Sequence, residues 1–333
     1  MRPSLPAAAA CLALAAGCAH AGAPPGPPPT WPRPPAAPRV AFAGPVPGDD
    51  RPDGRSAFRR VLDAIAGVDR SREAPLLVRP FGLAVAAGAL YVADPDGPSV
   101  IRFDLASGEA TPIRCETPWG APMAIAAAPW GDLLVADAGA AAIVAVSPGG
   151  SCSSLGRGAL VRPTGVAVAG GEIFVADPPA QQVVVLDRAG GELRRWGGRG
   201  AGDDGFNFPV ALAAAPDGTI VVVDSLNFQV KRFRADGAFL VGFGGPGDYG
   251  DRFARPKAVA VDGEGRLFVS DTQRGTVLAF APDGTFLYGV GEIGDLPGQL
   301  SLPAGVAIGE GRLFVADGQH RRIESYRFLG DGP

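Results

Sequence analysis

The chain is poor in the residues that usually carry metal and nucleic-acid chemistry. It has two histidines, His20 and His320, and two asparagines, Asn207 and Asn227. A zinc site built from several histidines is therefore excluded. Lysine is as scarce, with Lys231 and Lys257 the only two among 30 basic residues, and the formal charge is −4. That mild acidity excludes a basic nucleic-acid surface. No apolar run is long and continuous enough to be a good membrane-spanning helix. Cysteine is limited to Cys11, Cys18, Cys115 and Cys152. What is abundant is turn chemistry, with 49 glycines and 34 prolines. That content implies many tight turns, while 47% apolar and 19% charged residues are enough for a sizeable core.

The first twenty residues, "MRPSLPAAAACLALAAGCAH", carry one arginine, an apolar stretch and small residues ending at Cys18. That is the layout of an export signal. "LALAAGC" resembles the lipobox of bacterial lipoproteins, although Leu14 stands four residues before Cys18 where the usual leucine stands three before. The resemblance implies that residues 1–18 are removed and that Cys18 is lipidated, anchoring an exported chain to a membrane it does not span. Ala19 after the cysteine leans toward the outer membrane over other periplasm-facing placements. Cleavage after Ala21, releasing a soluble protein, is the alternative. Residues 19–38 hold nine prolines in twenty positions and read as an extended spacer.

Beyond the spacer the sequence repeats. "LYVAD", "LLVAD", "IFVAD", "VVVD", "LFVSD" and "LFVAD" end at Asp94, Asp137, Asp177, Asp224, Asp271 and Asp317, at intervals of 40 to 47 residues. A proline stands 14 or 15 residues before each: Pro80, Pro122, Pro163, Pro209, Pro256, Pro303. The second and fourth residues after every proline are Gly or Ala, and the third is Leu, Ile or Val. Such alternation marks a strand, and a face of tiny residues marks a close neighbour. Strands converging on an axis need that, so units of this length predict an all-β, six-bladed β-propeller over residues 78–333. The sixth copy lacks a fourth strand. "RVAFAGPV" (39–46) is expected to supply it and close the ring. Within residues 39–77, "SAFRRVLDAIAG" (56–67) puts Phe58, Val61, Leu62 and Ile65 on one side of a short amphipathic helix.

"RPTGVAVAGGEIFVADPPAQQVVVLDRAGGELRRWGGRG" (162–200) resembles an NHL repeat. So do residues 243–271 and 289–308, whose glycine-rich runs lead to the repeat proline. The resemblance covers about residues 78–330 and implies a bacterial exported propeller of the NHL type.

The six aspartates recur in every unit, so they are read as architectural, each accepting N–H groups of the following turn. Function is sought where the blades differ. The residues after the prolines, at the channel mouth, are Phe81, Met123, Thr164, Val210, Lys257 and Ala304. The loops after the aspartates should share that face. Their polar members fall in blades three to six, among them Gln181, Gln182, Asn227, Gln229, Gln273, Arg274, Gln319, His320 and Arg321. With Lys257 they form a lopsided binding face without a catalytic set, metal site or cofactor. That pattern points to a monomeric, non-catalytic envelope scaffold for a protein or peptide partner, not a nucleic acid. A small-molecule or carbohydrate site, or a lactonase-like hydrolase at the channel mouth, is the alternative; a purely structural lipoprotein is the second. Cys115 and Cys152 fall near opposite ends of their strands, which favours two thiols over a disulfide.

Overall fold

The computed structural model describes residues 27–46 and 76–330. Over these the chain is a six-bladed β-propeller whose sheets are antiparallel meanders. The innermost strands are Gly82–Ala86, Pro122–Ala127, Gly165–Ala169, Pro209–Ala214, Pro256–Val261 and Pro303–Gly309. In register, Pro122 faces Asp137, Pro209 faces Asp224, Pro256 faces Asp271 and Pro303 faces Asp317. The start of each inner strand and the end of the second strand therefore lie at one end of the blade, as the repeat predicts.

Each inner strand packs against those of both neighbouring blades, so the ring is closed. The small residues make this approach feasible. A Cβ on Gly82 would collide with the Met123 carbonyl oxygen, and one on Gly305 with that of Phe81. The alternate residues of the second and third strands fill the joints between blades. Six apolar clusters result, one per joint, and Phe103, Phe174, Phe233, Phe268, Phe280 and Phe314 are fully buried in or beside them.

Closure follows the expected route. Val40–Pro45 pairs with Arg322–Phe328, the last strand of the chain, and becomes the fourth strand of blade six. The segment read as a spacer contributes more than expected. Thr30–Trp31 pairs with Val40 and Ala41 as a fifth strand, and Trp31 is 4% exposed, edge-on to Tyr326 at 5.5 Å. Composition averaged over twenty residues hid one large anchor among the prolines. Cys18, His20 and the helix expected at 56–67 lie outside the described residues.

The reading of two free thiols is corrected. Cys115 and Cys152 are disulfide-bonded, with Cα atoms 5.6 Å apart. Judging them by strand ends ignored where the connection goes. Residues 115–119 leave blade one and lie beside Val144, Ser153 and Ser154 of blade two. Strand twist adds to this by swinging the outer strand of a blade across its inner ones.

Candidate functional site

The repeat aspartates build the face that carries the candidate residues. Each is at most 1% exposed. Each accepts a backbone N–H from the connection entering its own blade: Val78, Gly120, Val161, Asn207, Ala254 and Ser301 for the six in order. Asp94, Asp137, Asp271 and Asp317 also accept N–H groups from the turn that follows them, the bonds expected from sequence. One carboxylate thus fastens two loops, and a hydrogen bond to a charged group contributes about 1.5–3 kcal/mol. Burial pushes the Asp224 and Asp317 carboxyls up. The face is consequently formed of connections and second-to-third-strand loops held by six internal anchors.

At its centre opens a channel of about 450 Å³ lined by all six inner strands. These are edge strands of their sheets, so unpaired backbone N–H and C=O groups face the channel. The expected mouth residues Phe81, Met123, Thr164, Val210 and Lys257 line it. Thr164 spends its hydroxyl on the Val210 carbonyl at 2.8 Å. Lys257 is half-buried, and its Nζ stands 4.9 Å from the centre of the Phe81 ring. Burial pushes its ammonium pKa down, and Arg255 and Arg79 push the same way. The side chains lining the channel include no carboxylate, a donor set that does not suit a calcium ion.

The remaining binding-face residues divide. Asn227 bonds to the Gly200 carbonyl and to Asp224, and Arg274 to the carbonyls of Gly250 and Arg252. His320 is clamped between Asp317 at 2.7 Å and Asp295 at 2.9 Å. Burial opposes its protonation, but the two carboxylates prevail and hold its pKa above the ordinary histidine value. These three therefore serve the loops first. Gln229 opens a third strand, half-buried. Gln273, Gln319 and Arg321 are exposed and available. Sequence reasoning missed Lys231, which is 1% exposed and donates to the carbonyls of Gly202 and Gly205 at 2.7 and 2.6 Å. With Asp224 at 3.4 Å, it pins a glycine-rich connection to blade four.

That connection recurs twice. In residues 197–206, 244–253 and 291–300 the fourth strand ends at a glycine with positive φ, and Phe206, Phe253 or Leu300 folds under it, fully buried. The loop tips rise from the face. Tyr249, Ile293 and Leu296 are 69%, 66% and 66% exposed. An open groove of about 470 Å³ runs between two of these loops, lined by Asp248, Gln273, Arg274, Glu292 and Ile293 among others. Of the eleven exposed large apolar residues described, eight lie on this face: Val78, Val161, Phe208, Leu226, Tyr249, Ile293, Leu296 and Leu302. The polar loop residues alone did not reveal that clustering. Half of it has a signal in the sequence, an apolar residue one or two positions ahead of the repeat proline: Val78, Val161, Phe208 and Leu302.

No protein-family model matches the chain, and no curated protein matches it. Solved structures do match in fold. A gluconolactonase from Xanthomonas campestris superposes with a TM-score of 0.61 at 22% identity, covering 76% of this chain and 87% of its own. Virginiamycin B lyase from Staphylococcus aureus gives 0.56 at 13% identity, covering 76% and 96%. An auxiliary nutrient-binding protein from Bacteroides thetaiotaomicron gives 0.61 at 14% identity, covering 76% and 70%. Enzymes and a binding protein thus share the architecture, and the likeness at these identities is one of fold: a six-bladed β-propeller.

Proposed function

We propose that this is an NHL-type propeller acting as a binding scaffold of the cell envelope, exported and held to a membrane through lipidated Cys18. Its loop face would recognise a protein or peptide partner across blades four to six. The observation that carries this reading is the exposure of the large apolar loop-tip residues Tyr249, Ile293 and Leu296 on the two loops that flank the groove holding Gln273 and Arg274. Soluble proteins seldom leave such residues clustered in water without a partner for them. Interface centres favour aromatic and arginine side chains over small ones. The disulfide accords with an oxidising compartment. Crosslinking the tagged full-length chain in cells, followed by mass spectrometry, tests it. A partner crosslinked through residues 246–253 and 291–300, and lost in Tyr249→Ser/Ile293→Ser/Leu296→Ser, supports the scaffold. Capture that persists in that folded variant removes the loop face from consideration.

The second reading, a hydrolase or lyase, takes its support from the enzymes among the fold neighbours. One observation on the face favours it, a histidine oriented by a buried aspartate in the Asp317–His320 pair. Loss of turnover in His320→Ala, on any substrate found by screening, would put this reading first.

A further inference from the structure

The residue immediately before the repeat proline alternates around the ring. It is arginine in blades one, three and five (Arg79, Arg162, Arg255) and Ala121, Phe208 and Leu302 in blades two, four and six. In a six-bladed ring, alternate blades are related by a third of a turn. Three arginines therefore stand at the heads of alternate inner strands, and Lys257, two residues after one of them, lines the channel. Among the described residues Arg79 is paired, to Asp96 at 2.6 Å. Arg162, Arg255 and Lys257 have no carboxylate partner there. Among the described residues, positive charge without a carboxylate partner thus gathers at this end of the channel, on Arg162, Arg255 and Lys257.

Below Lys257 the channel side chains are small or aliphatic, including Ala84, Ala126, Val168, Leu212, Val259 and Ile308. A half-buried ammonium without an acid is unfavourable unless something neutralises it. Lys257 is the one cation among the described residues that line the channel, and Arg79 is paired to Asp96. A singly charged head group therefore suits the site better than a phosphate dianion, whose desolvation penalty is larger. A channel of about 450 Å³ has the size of a small-molecule site.

We propose that the channel mouth binds a small organic carboxylate, its head group on Lys257 at the end of the channel where Arg79, Arg162 and Arg255 head alternate strands, its apolar body against Phe81 and Met123. The carboxylate belongs to a free small molecule or to the C-terminus of a docked peptide. The site itself does not depend on the scaffold reading.

The test uses the full-length chain, purified in detergent, with calorimetry of 3-phenylpropionate, its neutral amide and inorganic phosphate. The acid should bind at least about tenfold more tightly than the amide. Lys257→Met, which keeps the apolar stem, should remove about tenfold of that affinity, and Arg162→Gln/Arg255→Gln a smaller part. Lys257→Met should also melt at a higher temperature than the parent, which shows that it folds and that the ammonium was strained. Equal binding of acid and amide, unchanged affinity in Lys257→Met, or tighter binding of phosphate each overturns the proposal. A phenylalanine-ended peptide compared with its amidated form separates the sources. A free peptide terminus that binds more tightly than 3-phenylpropionate assigns the carboxylate to a partner, and the reverse order to a small molecule. Tyr249→Ser/Ile293→Ser/Leu296→Ser should leave acid binding intact, so failure of the loop-face reading and failure of this site give different results.

Discussion

The joint between blades one and two and the joint between blades four and five solve one problem by different chemistry. The first has six buried residues in its apolar cluster, and a disulfide beside it. The second has ten, among them Phe253, tucked beneath Gly244 against Phe280 at 5.6 Å. Blade two is rich in alanine, and the connection leading into it has no glycine run with an aromatic residue under it. The covalent link therefore sits where apolar burial is least. At the joints of blades three and four and of blades four and five a glycine that admits a ring does the same work, and the other five apolar clusters hold ten to twelve residues. A ring fails at its weakest joint, so reinforcing only that one is sufficient.

The comparison can be broken from either side. Phe253→Ala should have the largest effect, about 3–5 kcal/mol by denaturant unfolding. Hydrogen exchange should then rise first in blades four and five. Replacing Cys115 and Cys152 together by alanine should lower stability by about 2–4 kcal/mol, because the link closes 37 residues of chain in the unfolded state. Exchange should now rise first in blades one and two. If both variants opened at the same joint, the division of labour between disulfide and aromatic ring would be wrong. Gly244→Ala comes next, at about 1–3 kcal/mol, since φ is +105° there and a Cβ would meet the Phe253 ring at 2.5 Å.

The smallest effect concerns the joint of blades five and six, where His320 ties Asp295 of the glycine-rich connection to Asp317. Because its pKa is raised in the folded chain, its contribution is complete below about pH 6.5 and is lost as pH rises through the raised value. The melting temperature should therefore fall from pH 6 to pH 8 by more in the parent than in His320→Gln. The difference should correspond to about 1 kcal/mol or less. Parallel pH profiles would show that the clamp contributes nothing to the joint.

The periodic part of this molecule was legible in the sequence. Asp94 to Asp317, the six prolines and the small residues after them obey constraints every blade shares, so six copies reinforce one reading. The closing strand was legible for the same reason, as the piece the sixth copy lacks. What escaped is what occurs once. Trp31 is a single anchor inside a proline-rich stretch. The disulfide depends on the path of one connection. Lys231 stands outside the repeat pattern and is a buried clamp on two carbonyls. The state of the candidate loop side chains was half legible. Gln273, Gln319 and Arg321 are exposed where the loop positions put them, whereas Asn227, Arg274 and His320 are occupied by the loops. Polarity shows that a side chain needs partners, but not whether those partners are within the chain.

Blade six holds the first described strands of the chain and the last, with Val40 opposite Phe328. Synthesis runs from the amino end, so Val40–Pro45 is made early and then waits for a mate that is made only after the five other blades. Its backbone groups and Trp31 have nowhere to dock until Arg322–Phe328 is complete. The entropy of joining such distant segments grows only logarithmically with their separation, so the wait delays closure more than it weakens it. The ring thereby checks its own length: a chain cut short anywhere before residue 322 keeps an open seam, and only a finished one becomes a circle.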